Sequence, residues 1–225
     1  PLTLGASVYT VGTNQLKYMK VYELMEDEEL TFAAMPPSLL QFLSPYFDEI
    51  HVPKLKYLIV TAEAANADLL QRFRGCAPNA EFVNLYGPTE ATIYCTAYRI
   101  PPENCKQHNG MIAIGRPFSG LETIIMDEKG MPVAEGEQGE LWVSGEQVMR
   151  GYWQDEDKSR QVFARFNGKE YYKTGDLCSV DSDGDIIYRG RKDYQVKVQG
   201  FRVELSEIEY RTKKFFPNET HAVVI

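Results

Sequence analysis

The run from Leu55 to Ala62, "LKYLIVTA", does most to limit the folds open to this chain. It is near-continuously apolar instead of alternating, so it reads as a strand buried on both faces. A helical stretch follows, "ANADLLQRFRG" (65–75), closed by Gly75. The next strand is "AEFVNLYG" (80–87). Strand, helix, strand is βαβ order, which calls for a mostly parallel sheet. A short helix over "MPPSLLQFL" (35–43), with prolines in its first turn, belongs to the same unit.

From about residue 110 the pattern changes. Turn signals now come at hairpin spacing, in "MDEKGMP" (126–132), "RFNGKEYY" (165–172) and "VDSDGDIIY" (180–188). The runs beside them, such as Glu140 to Val143 and Ile186 to Tyr188, are β-rich. This predicts an antiparallel, barrel-like unit. "DSDGD" (181–185) imitates the opening of a calcium loop, but Ile186 and Lys192 stand where that loop needs Gly and Glu. It reads instead as an Asp-Gly hairpin turn.

A third piece starts near Lys192, with an alternating hairpin. Ser206 and Glu209 then form a capping box that opens a helix. Pro217 ends that helix, and a strand begins near Ala222. The expected fold class is therefore α/β. A mostly parallel sheet subdomain (1–109) precedes an antiparallel barrel-like subdomain (110–191) and the start of a small α+β domain (192–225). The opening "PLTLGASVYTV" reads as a strand edge with a Gly turn, and "HAVVI" as the start of a buried strand. Both ends suggest a piece of a longer protein.

Composition narrows the function. With 225 residues, 44% of them hydrophobic, the chain can build a real core. At this size about 70% of the unfolded chain's surface is buried on folding. Net charge is −8 and no basic block exists, which argues against nucleic-acid binding as a main task. The run Glu26-Asp27-Glu28-Glu29 reads as a solvated helix start or loop. Cys76, Cys95, Cys105 and Cys178 form no CxxC pair and read as ordinary thiols of a reducing, cytoplasmic compartment. No signal-peptide pattern and no membrane-length apolar run is present. His51, His108 and His221 lack metal-binding spacing, and there is no G-x-S-x-G elbow.

The stretch "NLYGPTEAT" (84–92) carries more than a turn needs. Gly87 and Pro88 suffice to bend the chain; the aromatic, the hydroxyl and the carboxylate beside them suit a flat ring, phosphates and a metal ion. It is followed in order by "GELWVSGEQVMRGYW" (139–153), "YKTGDL" (172–177) and "GRKDYQVKVQGFRVELSEIE" (190–209). As a set these segments resemble the adenylation domains of the adenylate-forming superfamily. They look most like the amino-acid-activating branch, as in nonribosomal peptide synthetases and D-alanine–carrier-protein ligases.

That resemblance implies a two-step reaction. A carboxylate attacks the α-phosphorus of ATP, giving an acyl-adenylate and pyrophosphate. The phosphopantetheine thiol of a peptidyl or acyl carrier protein then takes the acyl group as a thioester. ATP/AMP and Mg²⁺ are the implied cofactors. By the resemblance, Tyr86 stacks on adenine and Asn84 bonds its edge. Ala62 and Glu63 lie beside the adenine, and Gly87 turns the backbone toward the phosphates. Thr89 meets the α-phosphate and Glu90 holds Mg²⁺. Asp176 and Arg191 bind the ribose, Asp193 is the hinge, and Gly200 lines the thiol tunnel. Relatives carry Gly where Ala62 stands, which implies a backbone slightly farther from the ligand. The family's phosphate loop and amine-gripping aspartate would precede Pro1, and its catalytic lysine would follow Ile225. Lys192 and Lys197 belong to the hinge-side motif. The chain is accordingly expected to be inactive alone.

The acyl pocket, by the same matching, comprises Ala34, Ile59, Thr61, Leu85, Ile93 and Tyr94. None is charged, and Leu85 and Tyr94 are bulky, so a small neutral, alanine-like amino acid is expected. Several of these are equally readable as plain sheet core. Two alternatives stand beside the amino-acid ligase: an acyl-CoA synthetase of the same superfamily, and a non-catalytic remnant that holds nucleotide or docks a carrier protein.

Overall fold

The computed structural model describes residues 2–11, 17–193, 195–198, 201–204, 208 and 212. The expected capping box at Ser206 and Glu209, the stop at Pro217, the strand near Ala222 and Gly200 lie outside the described residues.

The opening differs from the expected strand edge: Leu2–Leu4 form a single 3₁₀ turn, closed by Gly5 in the left-handed region. Helix α1 (Lys17–Asp27) comes next. Tyr18, Val21, Tyr22 and Met25 form its apolar stripe, with Met25 in the core and the other three packed against it. The acidic run proves to end this helix, not to start one: Glu26 and Asp27 close it and Glu28 N–H bonds back to Leu24 O. Tyr18 anchors α1 by stacking on Phe42, with centroids 4.4 Å apart.

Strand β1 (Phe32–Met35) leads into α2 (Pro37–Leu43), then β2 (Tyr57–Thr61), α3 (Ala67–Phe73) and β3 (Glu81–Tyr86). Pro37 sits at the first helical position of α2, where its missing N–H costs nothing. Asn66 caps α3 by accepting from Leu69 N–H at 3.1 Å. The pairs β1–β2 and β2–β3 are parallel. β4 (Thr96–Ile100) then returns antiparallel against β3. A two-residue hairpin of β5 (Gln107–His108) and β6 (Met111–Ile112) precedes β7 (Arg116–Pro117), which completes the sheet order β1-β2-β3-β4-β7.

Strand alternation gives this sheet two unlike faces. One face packs Leu58, Val60 and Phe82 against Leu39, Leu40, Leu43, Leu70 and Phe73 of the helices. Each such side chain contributes about 1.5–3 kcal/mol by leaving water. The other face carries Ala34, Ile59, Thr61 and Leu85, whose strands are in register at Ala34↔Ile59 and Thr61↔Leu85.

The second unit comprises β8 (Leu121–Met126), β9 (Gly139–Gly145), α4 (Glu156–Val162), β10 (Phe163–Phe166), β11 (Lys169–Val180) and β12 (Ile186–Arg191). Its sheet is antiparallel, ordered β10-β11-β9-β8 with β12 also on β11. Helix α4, capped by Asp155, was not legible in the hairpin pattern. The two units are tied where Ile186 N–H bonds to Gly115 O at 2.8 Å and Ile114 N–H to Ile186 O at 2.9 Å.

The Asp181–Asp185 segment is a hairpin turn between β11 and β12, closed by Gly184 N–H to Asp181 O. The Lys106 ammonium stands among its carboxylates, 2.8 Å from Asp181, 2.7 Å from Asp183 and 2.5 Å from Asp185. Those bonds hold the Lys106 pKa above its ordinary value. Beyond Asp193, β13 (Gln195–Val198) and β14 (Phe201–Glu204) form the expected antiparallel hairpin.

Candidate functional site

The site is built on an irregularity in β11. Lys173 pairs with Trp142 and Leu177 with Glu140, so Thr174, Gly175 and Asp176 together face only Leu141 of β9. The extra residues would leave polar backbone groups unpaired. Side chains satisfy them: Thr174 Oγ donates to Leu141 O at 2.8 Å and accepts from Asp176 N–H at 3.0 Å. Gly175 N–H donates to Glu140 Oε1 at 3.0 Å. Gly175 has φ +74°, and a Cβ there would sit 2.8 Å from the Arg191 guanidinium. The Thr-Gly-Asp order thus has a local cause: a hydroxyl to patch the bulge, a glycine to turn it, and an acid unpaired with β9 but in register with Arg191 of β12.

That acid gathers the site. Tyr86, the last residue of β3, donates its phenolic hydrogen to Asp176 Oδ2. Arg191, the last residue of β12, donates to Asp176 Oδ1 at 2.9 Å and to Thr174 O at 3.1 Å. The same guanidinium forks onto both oxygens of Asp193, at 2.8 and 2.7 Å. Burial opposes its charge, but the bonds to Asp193 and the charge of Asp176 outweigh burial and raise its pKa. Burial, followed by the Asp176 charge, pushes the Tyr86 phenol well above its ordinary value. Tyr86 therefore acts as a neutral donor.

After Tyr86 the chain folds back on itself. A Cβ on Gly87 would lie 2.5 Å from Ile93 O and 2.8 Å from Cys95 N, so only glycine fits. Thr89 is exposed in the 3₁₀ turn Thr89–Ala91, and Glu90 is buried beneath it. Glu90 Oε1 accepts from Tyr152 Oη at 2.6 Å. Glu90, Tyr152, Thr174, Gly175, Arg191 and Asp193 line one cleft of about 520 Å³, and Lys158, Lys173 and Lys192 add positive charge to its wall. Residues from four distant segments thus converge.

Other residues singled out in the sequence fall elsewhere. Asn84 is 3% exposed and its Nδ2 donates to Ala113 O at 2.9 Å, so its amide is engaged inside the fold and does not reach the cleft. Glu63 accepts from Ser38 N–H at 2.9 Å and Ser38 Oγ at 3.0 Å. It caps α2, whose own N-cap, Pro36, has no side-chain oxygen to offer. Ala62 has φ +72°, and the Gly-to-Ala replacement shows here as backbone strain. Of the six pocket residues, Ala34, Ile59, Thr61 and Leu85 share one sheet face. Ile93 and Tyr94 belong to the loop after the 3₁₀ turn, where Ile93 is 61% exposed. Sequence reasoning assigned no role to Tyr152, Gln147 or Glu140, although all three lie in the segment 139–153 that stood out.

The donor set can be tested against Mg²⁺. Among the described residues no three His, Cys, Asp or Glu side chains converge into a protein-only metal cage. Mg²⁺ is commonly held by one or two carboxylates together with water and substrate phosphates. Glu90, a buried carboxylate in a cleft where Lys158, Lys173, Arg191 and Lys192 stand beside Glu140 and Asp193, fits that pattern. No described helix is long and apolar enough to cross a membrane.

Comparison with known proteins bears on this geometry. Residues 1–153 match the family model described as AMP-binding enzyme. Novobiocin biosynthesis protein H of Streptomyces niveus is 37% identical over 92% of this chain and 33% of its own length. The D-alanine–D-alanyl carrier protein ligase of Streptococcus pneumoniae is 34% identical over 95% of this chain and 42% of its own. The Vibrio cholerae adenylation domain AlmE, solved with glycyl-adenosine-5'-phosphate, superposes with TM-score 0.79 at 29% identity, over 88% of this chain and 38% of that one. The chain spans less than half of each of these relatives. With a family match over more than half of its residues and relatives above 30% identity along nearly all of it, this chain belongs to the AMP-binding enzyme family.

Proposed function

We propose that the protein containing this chain activates a small neutral amino acid with ATP, as aminoacyl-AMP, and passes it to the phosphopantetheine thiol of a carrier protein. The observation that carries this reading is the relay Tyr86–Asp176–Arg191, whose arginine lines one cleft together with Glu90. On this reading, Asp176, behind the cleft's Arg191, accepts the ribose hydroxyls, Arg191 holds Asp176 and reports to Asp193, and Tyr86 offers its ring to adenine. Thr89 meets the α-phosphate. Glu90 would hold Mg²⁺, which supplies neutralisation of phosphate charge when bound. Phosphoryl chemistry of this kind asks the protein for positioning and electrostatics. Lys158 and Lys173 offer positive charge to a polyanion in the same cleft, where Lys192 and Arg191 already face Glu140 and Asp193. The uncharged face bearing Ala34, Ile59, Thr61 and Leu85 suits a small apolar side chain, in keeping with the D-alanine and glycyl named for two relatives. The described residues divide, on this reading, at 109/110 and 191/192. Reduced cysteines suit a cytoplasmic setting.

The test uses the natural protein that contains this chain. Glu90→Gln and Asp176→Ala should each lower amino-acid-dependent ATP–pyrophosphate exchange at least about tenfold. Near-normal exchange in both overturns the assignment. Exchange with fatty or aryl acids but not amino acids would reassign the substrate.

A further inference from the structure

Two consecutive β-branched residues after Glu90 stand in the left-handed region, Thr92 at φ +54° and Ile93 at φ +73°. Their Cβ atoms crowd the backbone there, which makes such residues rare. Strain of this kind persists only where the surroundings over-determine it. Here one segment, 147–152, supplies five hydrogen bonds to residues 90–94. Gln147 Nε2 donates to Ala91 O and to Tyr94 O, both at 2.6 Å. Thr92 Oγ1 donates to Gln147 O at 2.6 Å. Met149 N–H donates to Glu90 O at 2.7 Å, and Tyr152 Oη to Glu90 Oε1 at 2.6 Å.

We propose that Gln147 is a positioning residue whose carboxamide clamps the strained turn and so sets the geometry of Glu90, Ile93 and Tyr94. The proposal deepens the reading of Glu90 as metal ligand and of Ile93 and Tyr94 as pocket residues, and rests on it for its catalytic consequence. The chemistry points to glutamine in particular. Its amide has two N–H donors, and the two acceptors, Ala91 O and Tyr94 O, flank the strained pair. Each end of the left-handed turn is therefore tied to one nitrogen. Leucine at this position has similar bulk and no donor. Glutamate would set its oxygens against two carbonyl oxygens. Because the clamp touches the acid at one end and the pocket loop at the other, its loss moves both together.

Hydrogen exchange of the natural protein tests the clamp directly. The reporters are the Thr92, Tyr94 and Cys95 amides, bonded to Thr89 O, Thr92 O and Tyr86 O. Gln147→Leu should speed their exchange about tenfold or more, as losing two hydrogen bonds implies. The Leu58 and Phe82 core amides should be unaffected. Ile93→Gly removes the strain at the second of the two residues, the one at φ +73°. Adding Gln147→Leu to Ile93→Gly should therefore change these amides much less than adding it to the wild type. Equal effects in the two backgrounds, or unchanged protection in Gln147→Leu, overturns the proposal. If Gln147→Leu fails to fold, the Ile93→Gly background must restore folding; failure there too overturns it. In pyrophosphate exchange, Gln147→Leu should raise the Mg²⁺ requirement and the amino-acid KM together by several-fold. A wild type that catalyses no exchange would defeat the proposed function and leave the amide test standing.

Discussion

Tyr86 donates to a carboxylate ninety residues further along the chain, that of Asp176, while Arg191 holds the other oxygen. This pair joins the last residue of a strand in the α/β sheet to the bulge of the antiparallel one. Tyr86→Phe keeps the ring and removes the donor. A hydrogen bond to a charged group contributes about 1.5–3 kcal/mol. The urea midpoint should fall accordingly, with an unchanged slope, because no surface is newly exposed. An unmoved midpoint would show that the phenol contributes nothing to joining the two sheets.

Ala62 offers the opposite kind of change. Its left-handed backbone costs roughly 1–2 kcal/mol, and glycine escapes that cost at an entropic expense of about 0.5–1 kcal/mol. Ala62→Gly should therefore stabilise the protein by up to about 1 kcal/mol. Thermal unfolding at neutral pH measures it. A lower midpoint would mean that the surroundings relieve the strain.

The tyrosines set a limit on the alkaline side. Burial, joined by nearby carboxylates, raises the phenols of Tyr86, Tyr152 and Tyr188, and pushes Tyr171 to about 12. Unfolded tyrosines ionise near pH 10. Below that pH the stabilisation is complete. Above it the unfolded chain releases protons that the folded chain still holds, so stability falls as pH rises. Tyrosinate absorbance should show an early phase from exposed rings and a late phase coincident with loss of circular dichroism. A single phase near pH 10 with structure retained would contradict this.

Much of the α/β unit was legible because its signals are local. The apolar run 55–62 contains β2, the stretch 65–75 contains α3, and 80–87 contains β3. Prolines and an asparagine cap mark the helices in the sequence itself. Helix α1 was legible too, in the stripe Tyr18, Val21, Tyr22 and Met25 at helical spacing, although the sequence reading assigned no helix there. Helix α4 was hidden among hairpin signals. The ordered motifs singled out Tyr86, Glu90, Asp176 and Arg191; the structure joins Tyr86, Asp176 and Arg191 by hydrogen bonds and puts Glu90 and Arg191 on one cleft. They could not show that Asn84 is engaged with Ala113 or Glu63 with Ser38, since both partners lie far away in sequence. Tyr152 and Gln147 went unassigned for the same reason: their meaning resides in contacts with residues 90–94.

The bulge at 174–176 has a consequence for how the chain tolerates change. Three residues stand where one would suffice, a surplus of two, and an even surplus preserves the inside-outside alternation of the strand beyond it. Losing a single residue there would swing buried Cys178 to the outer surface and bring half-buried Leu177 inward. Losing two would restore a flawless ladder and erase the carboxylate. This stretch cannot be shortened by one or by two without surrendering either the interior or the cleft.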